Sequence, residues 1–134
     1  MKREFFVWSL AVSIFFILWA SSVSAGVARN VSSDEAYQML QQRPGEFFLL
    51  DVRTPGEYQE VRLAGAKLIP IDQLLKRLHE VPKNKPLLVY CAVGSRSSQV
   101  VNYLARIGYT EVYNLYGGIY AWGKKGYPVL TGLP

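Results

Sequence analysis

The stretch LLVYCAVGSRSSQVVNYLARIG, from Leu87 to Gly108, predicts a buried strand, a short loop and a helix in succession. Its opening apolar run is too brief for a helix and is typical of a strand covered on both faces. Its second half ends on a glycine, which is a common helix stop. The apolar residues at helical spacing in that half are Val100, Val101, Leu104 and Ile107. Cys91, the only cysteine in the chain, lies where the strand meets the loop.

The rest of the chain repeats this alternation of strands and helices. A first helix is predicted after Ser32, because Glu35 completes a capping box with it. Another is predicted over residues 72–81, with Asp72 as its N-cap, and a short one over 117–126. Three more apolar runs predict strands: FFLLDV at 47–52, AKLIPI at 66–71 and EVYNL at 111–115. The alternation predicts an α/β domain with a parallel central sheet and helices on both faces.

The N-terminal segment differs in composition from the remainder. MKRE opens the chain, an apolar run follows from Phe5 to Ala20, and Val23-Ser24-Ala25 is a small-residue cleavage pattern. This order predicts a secretory signal peptide at residues 1–25, with an uncleaved membrane anchor as the alternative. The folded domain then comprises residues 26–134 and is periplasmic or secreted. Membrane association is expected only if the N-terminal segment is retained.

The exported protein is expected to begin at Gly26, because the small-residue pattern places the cleavage after Ala25. N-terminal sequencing of the processed protein checks this expectation. Retention of Met1 in a membrane fraction would instead identify the segment as an anchor.

The charge of the chain limits the classes of partner. Its 134 residues include 15 Lys and Arg against 10 Asp and Glu, a formal net charge of +5. The basic residues are spread out, whereas nucleic-acid-binding domains usually concentrate them on one face. The composition therefore argues against a nucleic-acid partner and is compatible with a small anionic substrate. No pattern in the sequence predicts the oligomeric state.

Cys91 is predicted to be the last residue of the central strand, with Ala92 to Arg96 as the loop. Ser97 or Ser98 is expected to cap the next helix. Ligands of open α/β sheets bind at this carboxyl edge. Loop amides, the positive end of the helix dipole and the Arg96 guanidinium would stabilise a thiolate and lower its pKa. We therefore predict a reactive thiol, against the alternative of a small buried apolar residue.

Neither a partner thiol nor a histidine motif accompanies Cys91. A single cysteine forms no internal disulfide and no C-x-x-C exchange motif. The only histidine, His79, has no motif around it and is expected to be a surface or half-buried helix residue. No His/Cys/Asp cluster suggests a metal site, and no cofactor is predicted.

Three motifs, in order, resemble those of the single-domain rhodaneses, a family of thiosulfate sulfurtransferases. LLDVRTPGEY followed by AGAKLIPI resembles the upstream signature, CAVGSRS the active-site loop and LYGGIYAWGKKGYPV the C-terminal signature. Val61-Arg62 stands where the family usually has Gly-His, and we expect altered packing there and not lost chemistry. Ala92 and Val93 are apolar where many relatives have a polar residue, which leaves the preferred sulfur donor open.

The resemblance implies a sulfurtransferase that works through a persulfide. Cys91 would attack the outer sulfur of thiosulfate or a similar donor, release sulfite and pass the sulfur to cyanide or a thiol. Arg96 is expected to hold the donor's sulfonate group. The implied catalytic residue is Cys91, and the implied substrate-binding residues are Ala92, Val93, Gly94, Ser95, Arg96, Ser97 and Arg53.

Two interpretations apply to Asp51 and Arg53. In one, Arg53 lies near the pocket, as the resemblance suggests. In the other, Asp51 accepts hydrogen bonds from loop amides and Arg53 forms an ion pair, for example with Glu57. We favour the second, because buried charges are normally paired for structural reasons. Structural roles are also predicted for Gly117, Gly118 and Trp122, and Tyr116 is expected on the pocket wall.

Two other functions compete with sulfur transfer. Cysteine phosphatases and arsenate reductases of the related type have an arginine one position later than Arg96 stands after Cys91. The shorter loop should be too tight for a tetrahedral phosphate. The second competitor is a non-enzymatic rhodanese-like module that carries sulfur or binds a partner, and the intact loop leaves a carrier role open.

Overall fold

The computed structural model describes residues 26–134; residues 1–25, on which the signal-peptide interpretation rests, lie outside the described residues. The strands are β1 Val27–Val31, β2 Phe48–Asp51, β3 Lys67–Leu68, β4 Leu87–Tyr90 and β5 Glu111–Leu115. The α-helices are α1 Ser33–Gln42, α2 Pro55–Glu60, α3 Ser95–Arg106 and α4 Gly118–Lys124. All strand pairs are parallel and the sheet order is β1-β5-β4-β2-β3. The predicted α/β class is confirmed.

Helices cover both faces of the sheet. Along the central strand β4, Leu87 and Val89 belong to one apolar cluster, together with the buried face of α3. Leu88 and Tyr90 belong to a second cluster, which contains buried residues of α1 and α4. Every residue of β4 is therefore buried. This two-sided burial explains why the strand reads as a continuous apolar run in the sequence.

The predicted start of the first helix is confirmed, but the predicted capping box is only half formed, because the Glu35 carboxylate pairs with Arg29. The Ser32 hydroxyl accepts a hydrogen bond from the backbone N–H of Glu35 at 3.1 Å, and α1 begins at the next residue. This helix packs against α4, where the rings of Tyr37 and Trp122 meet edge to face with centroids 6.0 Å apart. Trp122 is buried, and its indole N–H donates to the Pro128 carbonyl at 2.9 Å. Trp122 therefore has the structural role that the sequence predicts.

The helix predicted over residues 72–81 is wrong. Two short 3-10 helices, Ile71–Gln73 and Leu78–Glu80, occupy this segment and are joined by turns. Asp72 lies inside the first of them and makes no cap, because the N-cap position falls on Pro70. His79 is exposed on the second 3-10 helix. Leu74 is buried whereas Leu75 is 71% exposed, so the segment presents only a narrow apolar face to the core.

Two strands differ from the sequence prediction. Only Lys67 and Leu68 of AKLIPI form the strand β3, although the backbone N–H groups of Ile69 and Ile71 still donate to the carbonyls of Asp51 and Val52 at 2.9 and 3.1 Å. The edge strand β1 is missing from the sequence prediction. Val31, at the end of β1, is its only fully buried residue, so the sequence shows no apolar run there. The strand is defined by its parallel pairing with β5.

Arg62, in the Val61-Arg62 pair, contacts the C-terminal segment. The backbone of Arg62 exchanges two hydrogen bonds with Leu130, at 2.9 and 2.8 Å. The buried Arg62 guanidinium donates to the Gly132 carbonyl at 2.6 Å and lies over the Tyr58 ring. Arg62 thus fixes the C-terminal segment to the end of α2.

Within residues 26–134, none of the helices has the length and apolar character needed to cross a membrane.

Candidate active site

Cys91 lies at the carboxyl edge of the sheet, one residue beyond the end of β4. Its loop is shorter than the sequence predicts, because α3 begins at Ser95 with Gly94 as its N-cap. Ser95, Arg96 and Ser97 are therefore in the first turn of the helix, and neither Ser97 nor Ser98 is the cap. Gly94 has a φ of +99°, a left-handed conformation that suits glycine and turns the chain directly into the helix.

The sulfur of Cys91 takes the place of a capping oxygen for α3. The backbone N–H of Gly94 donates to Sγ at 3.1 Å and the N–H of Ser97 at 3.5 Å. The Ser97 hydroxyl lies 3.3 Å from the same sulfur. The sulfur thus accepts hydrogen bonds from N–H groups at the helix N-terminus that would otherwise lack partners. The helix α3 begins earlier than predicted because its first turn wraps around the sulfur.

The cradle lowers the pKa of the Cys91 thiol. Burial, the largest single influence, would by itself raise that pKa, because a thiolate is poorly solvated in the interior. Hydrogen bonds from the Ser97 hydroxyl and from the amides of Ser97, Gly94 and Val93 outweigh burial and bring the pKa below its ordinary value. A thiol surrounded by donors in this way is disposed to react as the thiolate.

The start of α4 holds the loop from the other side. The backbone N–H groups of Ile119 and Tyr120 donate to the carbonyls of Cys91 and Ala92 at 3.0 and 3.1 Å. Gly118 permits this approach, since a Cβ there would lie 2.3 Å from the Ala92 carbonyl oxygen.

The buried Asn114 side chain, on β5, also contacts the loop. Its amide nitrogen lies 3.4 Å from the Gly94 carbonyl oxygen and donates to the Asn30 side chain at 2.9 Å. The sequence prediction missed these contacts, because they join segments far apart in the chain.

Arg96 is anchored to α2 by Glu57. Two guanidinium nitrogens each lie 2.9 Å from a different carboxylate oxygen, and both side chains are about one-third exposed. The hydrogen bonds from Arg96 are the main reason that the pKa of Glu57 falls to about 2. Glu57 also forms a capping box with Thr54 at the start of α2. The spacing of these two residues in TPGE is a sequence signal that could have located Glu57 in the first turn of that helix. The partner of Arg96 was not predicted.

Asp51 and Arg53 form a buried ion pair. The Asp51 carboxylate accepts from the Arg53 backbone N–H at 2.9 Å and from its guanidinium at 2.7 Å, and both side chains are almost fully buried. Arg53 also donates to the Val61 carbonyl at 2.6 Å. The ion-pair partner is Asp51 and not Glu57, which was the example offered from the sequence. Arg53 nevertheless forms part of the wall of a neighbouring cleft.

Two clefts flank the loop. The larger, of about 490 Å³, lies against α4 and reaches Ala92; we call it the α4 cleft. A smaller cleft, of about 300 Å³, is lined by Val93 and Gly94 of the loop and by Asn114 and Tyr116. Tyr116, predicted on a pocket wall, therefore lines the smaller cleft and is largely exposed. Across residues 26–134 we find no grouping of His, Cys, Asp and Glu that could hold a metal ion.

Comparison with known proteins identifies the family of the chain. The model of the rhodanese-like domain matches residues 32–125. A sulfurtransferase of Allochromatium vinosum is 38% identical over 86 residues, 64% of this chain and 80% of the relative. The thiosulfate sulfurtransferase GlpE of Coxiella burnetii is 33% identical over 94 residues, 70% of this chain and 86% of the relative.

A solved structure agrees with the family match. The crystal structure of a rhodanese-related protein from Thermoplasma volcanium superposes with a TM-score of 0.69 at 30% identity, covering 76% of this chain and 97% of that one. The matched residues contain β4, the Cys91 loop and α3. The chain therefore belongs to the rhodanese-like domain family, whose members similar to it include sulfurtransferases.

Proposed function

We propose that this protein transfers a sulfane sulfur from thiosulfate, or a similar donor, to cyanide or a thiol through a persulfide on Cys91. The observation that carries the proposal is the cradle of N–H and O–H donors around the Cys91 sulfur. Names of relatives support the same class, since one is a sulfurtransferase and another a thiosulfate sulfurtransferase. No metal or organic cofactor is required by this chemistry.

The loading step conserves charge at the sulfur. The Cys91 thiolate attacks the outer sulfur of thiosulfate, the sulfur–sulfur bond of the donor breaks, and sulfite leaves with the electron pair. The persulfide keeps one negative charge on its outer sulfur. The amides of Gly94 and Ser97 are held in position by the start of α3. They therefore stabilise that negative charge without having to reorient. In the second step cyanide attacks the outer sulfur, and Cys91 leaves again as the thiolate.

Arg96 is the proposed donor-binding residue. Its guanidinium has five N–H groups, of which the contacts to Glu57 engage two, so others remain for an oxyanion. Its pKa is raised, mainly by the hydrogen bond to Glu57. Arg96 lies in the first turn of α3, next to Ser97, whose backbone N–H contacts the Cys91 sulfur. Thiosulfate brings two negative charges to a site that already holds a thiolate. A fixed cation there lowers this repulsion.

Arg96→Ala should slow loading from thiosulfate more than discharge to cyanide. Charge-assisted hydrogen bonds contribute about 1.5–3 kcal/mol, so we expect kcat/KM for thiosulfate to fall roughly 10- to 150-fold. Arg96→Lys should recover only part of this loss, because lysine keeps the charge without the fork of donors. Single-turnover rates of persulfide formation and discharge, measured separately, check the prediction.

Glu57→Gln is the matched control for this experiment. If Arg96 acts only as a brace between α3 and α2, loss of the Glu57 charge should reproduce the defect of Arg96→Ala in both steps. If Arg96 binds the donor, Glu57→Gln should load at least as fast as the wild type, because a competing carboxylate has been removed. Equal losses in loading and discharge for Arg96→Ala would contradict donor binding.

Steady-state kinetics test the two-step function itself. We expect parallel double-reciprocal lines when thiosulfate is varied at several cyanide concentrations, since sulfite leaves before cyanide reacts. Intersecting lines would contradict the proposed order, in which sulfite leaves before cyanide reacts. A carrier module would instead accept sulfur from thiosulfate without turning over with cyanide, so a single loading event without catalysis would favour the carrier alternative.

A further inference from the structure

The α4 cleft is larger than the substrates of the proposed reaction require. Its volume of about 490 Å³ is within the range of roughly 300–1,000 Å³ typical of sites for organic ligands. Thiosulfate and cyanide are far smaller. A cleft of this size beside the loop is suited to a ligand with a carbon skeleton.

The walls of the cleft are mainly apolar. Val61, Ala92, Ile119 and Val129 line it, together with Tyr120, whose side chain is 65% exposed although it borders a concavity. Covering an exposed aromatic ring beside aliphatic walls with an apolar group is favourable, because it removes apolar surface from water. Ala92 directly follows Cys91, so a ligand body in the cleft would have its end near the loop.

The charges around the cleft balance. Arg53 and Lys124 are the cations of its lining, and Glu57 and Glu60 are the carboxylates. Two of the four already have partners, because Arg53 pairs with Asp51 and Glu57 with Arg96. A lining without net charge is complementary to a neutral body and offers no special attraction for a dianion. The cleft and the donor-binding Arg96 therefore favour different chemical classes.

We infer that the α4 cleft binds the carbon skeleton of an organic thiol that accepts sulfur from the Cys91 persulfide. This inference rests on the proposed function. The acceptor has an apolar, uncharged body and reacts as its thiolate. That thiolate attacks the outer sulfur, the Cys91 sulfur–sulfur bond breaks, and Cys91 leaves as the thiolate. The product is an organic persulfide that keeps one negative charge, so charge and protons balance.

Neutral thiols of different chain length measure how much the cleft contributes to discharge of the Cys91 persulfide. Protein loaded with thiosulfate is discharged by 2-mercaptoethanol or by 6-mercaptohexanol, two neutral thiols that differ in the number of methylenes. Each methylene that is fully buried should raise the rate constant for discharge about fourfold. We expect 6-mercaptohexanol to be at least about tenfold faster, because the walls cover only part of its skeleton.

Gly123→Phe tests whether the cleft is responsible. Gly123 lines the cleft on α4 and is exposed, and a Cβ there meets no other heavy atom within 4 Å. The aromatic side chain should therefore fill the cleft without disturbing the core. We expect the ratio of the 6-mercaptohexanol rate to the cyanide rate to fall about tenfold. Asn102→Phe adds the same side chain to an exposed position of α3 and should keep the wild-type ratio.

The possible results separate this inference from the function on which it rests. Loading and cyanide discharge without any chain-length effect, or an unchanged ratio in Gly123→Phe, would overturn the cleft assignment and leave the sulfur transfer intact. Failure of wild-type Cys91 to load from thiosulfate would overturn the proposed function and the inference together. A chain-length effect that Gly123→Phe removes and Asn102→Phe keeps supports the assignment.

Discussion

Replacing Cys91 by serine should abolish the release of thiocyanate from thiosulfate and cyanide. We expect a loss of at least about a thousandfold, as is typical when a covalent nucleophile is removed. The reason is chemical, because an alcohol oxygen neither accepts a sulfane sulfur as a persulfide nor ionises near neutral pH. Cys91 is also the only thiol in the chain, so no other cysteine replaces it.

The fold of Cys91→Ser should survive, which makes the experiment interpretable. The hydroxyl is smaller than the thiol and accepts hydrogen bonds from the same donors at Gly94 and Ser97. Circular dichroism and the urea midpoint should remain close to those of the wild type. Thiocyanate release at an appreciable fraction of the wild-type rate, by a variant folded in this way, would remove Cys91 from the mechanism.

Arg53→Met should destabilise the fold by about 3–5 kcal/mol, the usual effect of removing one partner of a buried ion pair. Asp51 is completely buried and would lose its guanidinium partner. The Val61 carbonyl would also lose its donor from Arg53. Urea unfolding measures the change in the free energy of unfolding. A change of this size is a large part of the ~5–15 kcal/mol that stabilises a typical domain.

Two variants control this prediction. Asp51→Asn combined with Arg53→Met removes both charges and keeps an acceptor for the Arg53 backbone N–H, so it should recover much of the lost stability. Arg43→Met breaks exposed ion pairs with Glu46 and Glu111 and should leave the urea midpoint nearly unchanged. A stability for Arg53→Met equal to that of Arg43→Met would show that the buried pair is not a structural element.

The parts of the fold that followed from the sequence are those encoded by local patterns. The run at β4 reads as a buried strand because both faces of that strand are covered. The helix start at Ser32 follows from the Ser32 hydroxyl and the N–H of Glu35, which are three residues apart. The Cys91 loop was located because a strand end, a glycine and a helix face adjoin one another along the chain.

The parts that the sequence did not reveal depend on contacts between distant segments. The first turn of α3 begins early because the Cys91 sulfur caps it, and capping by sulfur has no sequence signature comparable to serine. Arg96 pairs with Glu57 across 39 positions of the chain. The strand β1 has little buried surface of its own and is fixed by its neighbour β5.

The central claim is that Cys91 carries the transferred sulfur, and the mass of the intact protein tests it most directly. The purified, reduced protein is treated with thiosulfate, freed of excess donor and weighed by mass spectrometry before and after addition of cyanide. The account predicts a gain of one sulfur atom on treatment, its loss on adding cyanide, and no gain in Cys91→Ser. An unchanged mass after thiosulfate, or a gain that Cys91→Ser retains, would contradict the account.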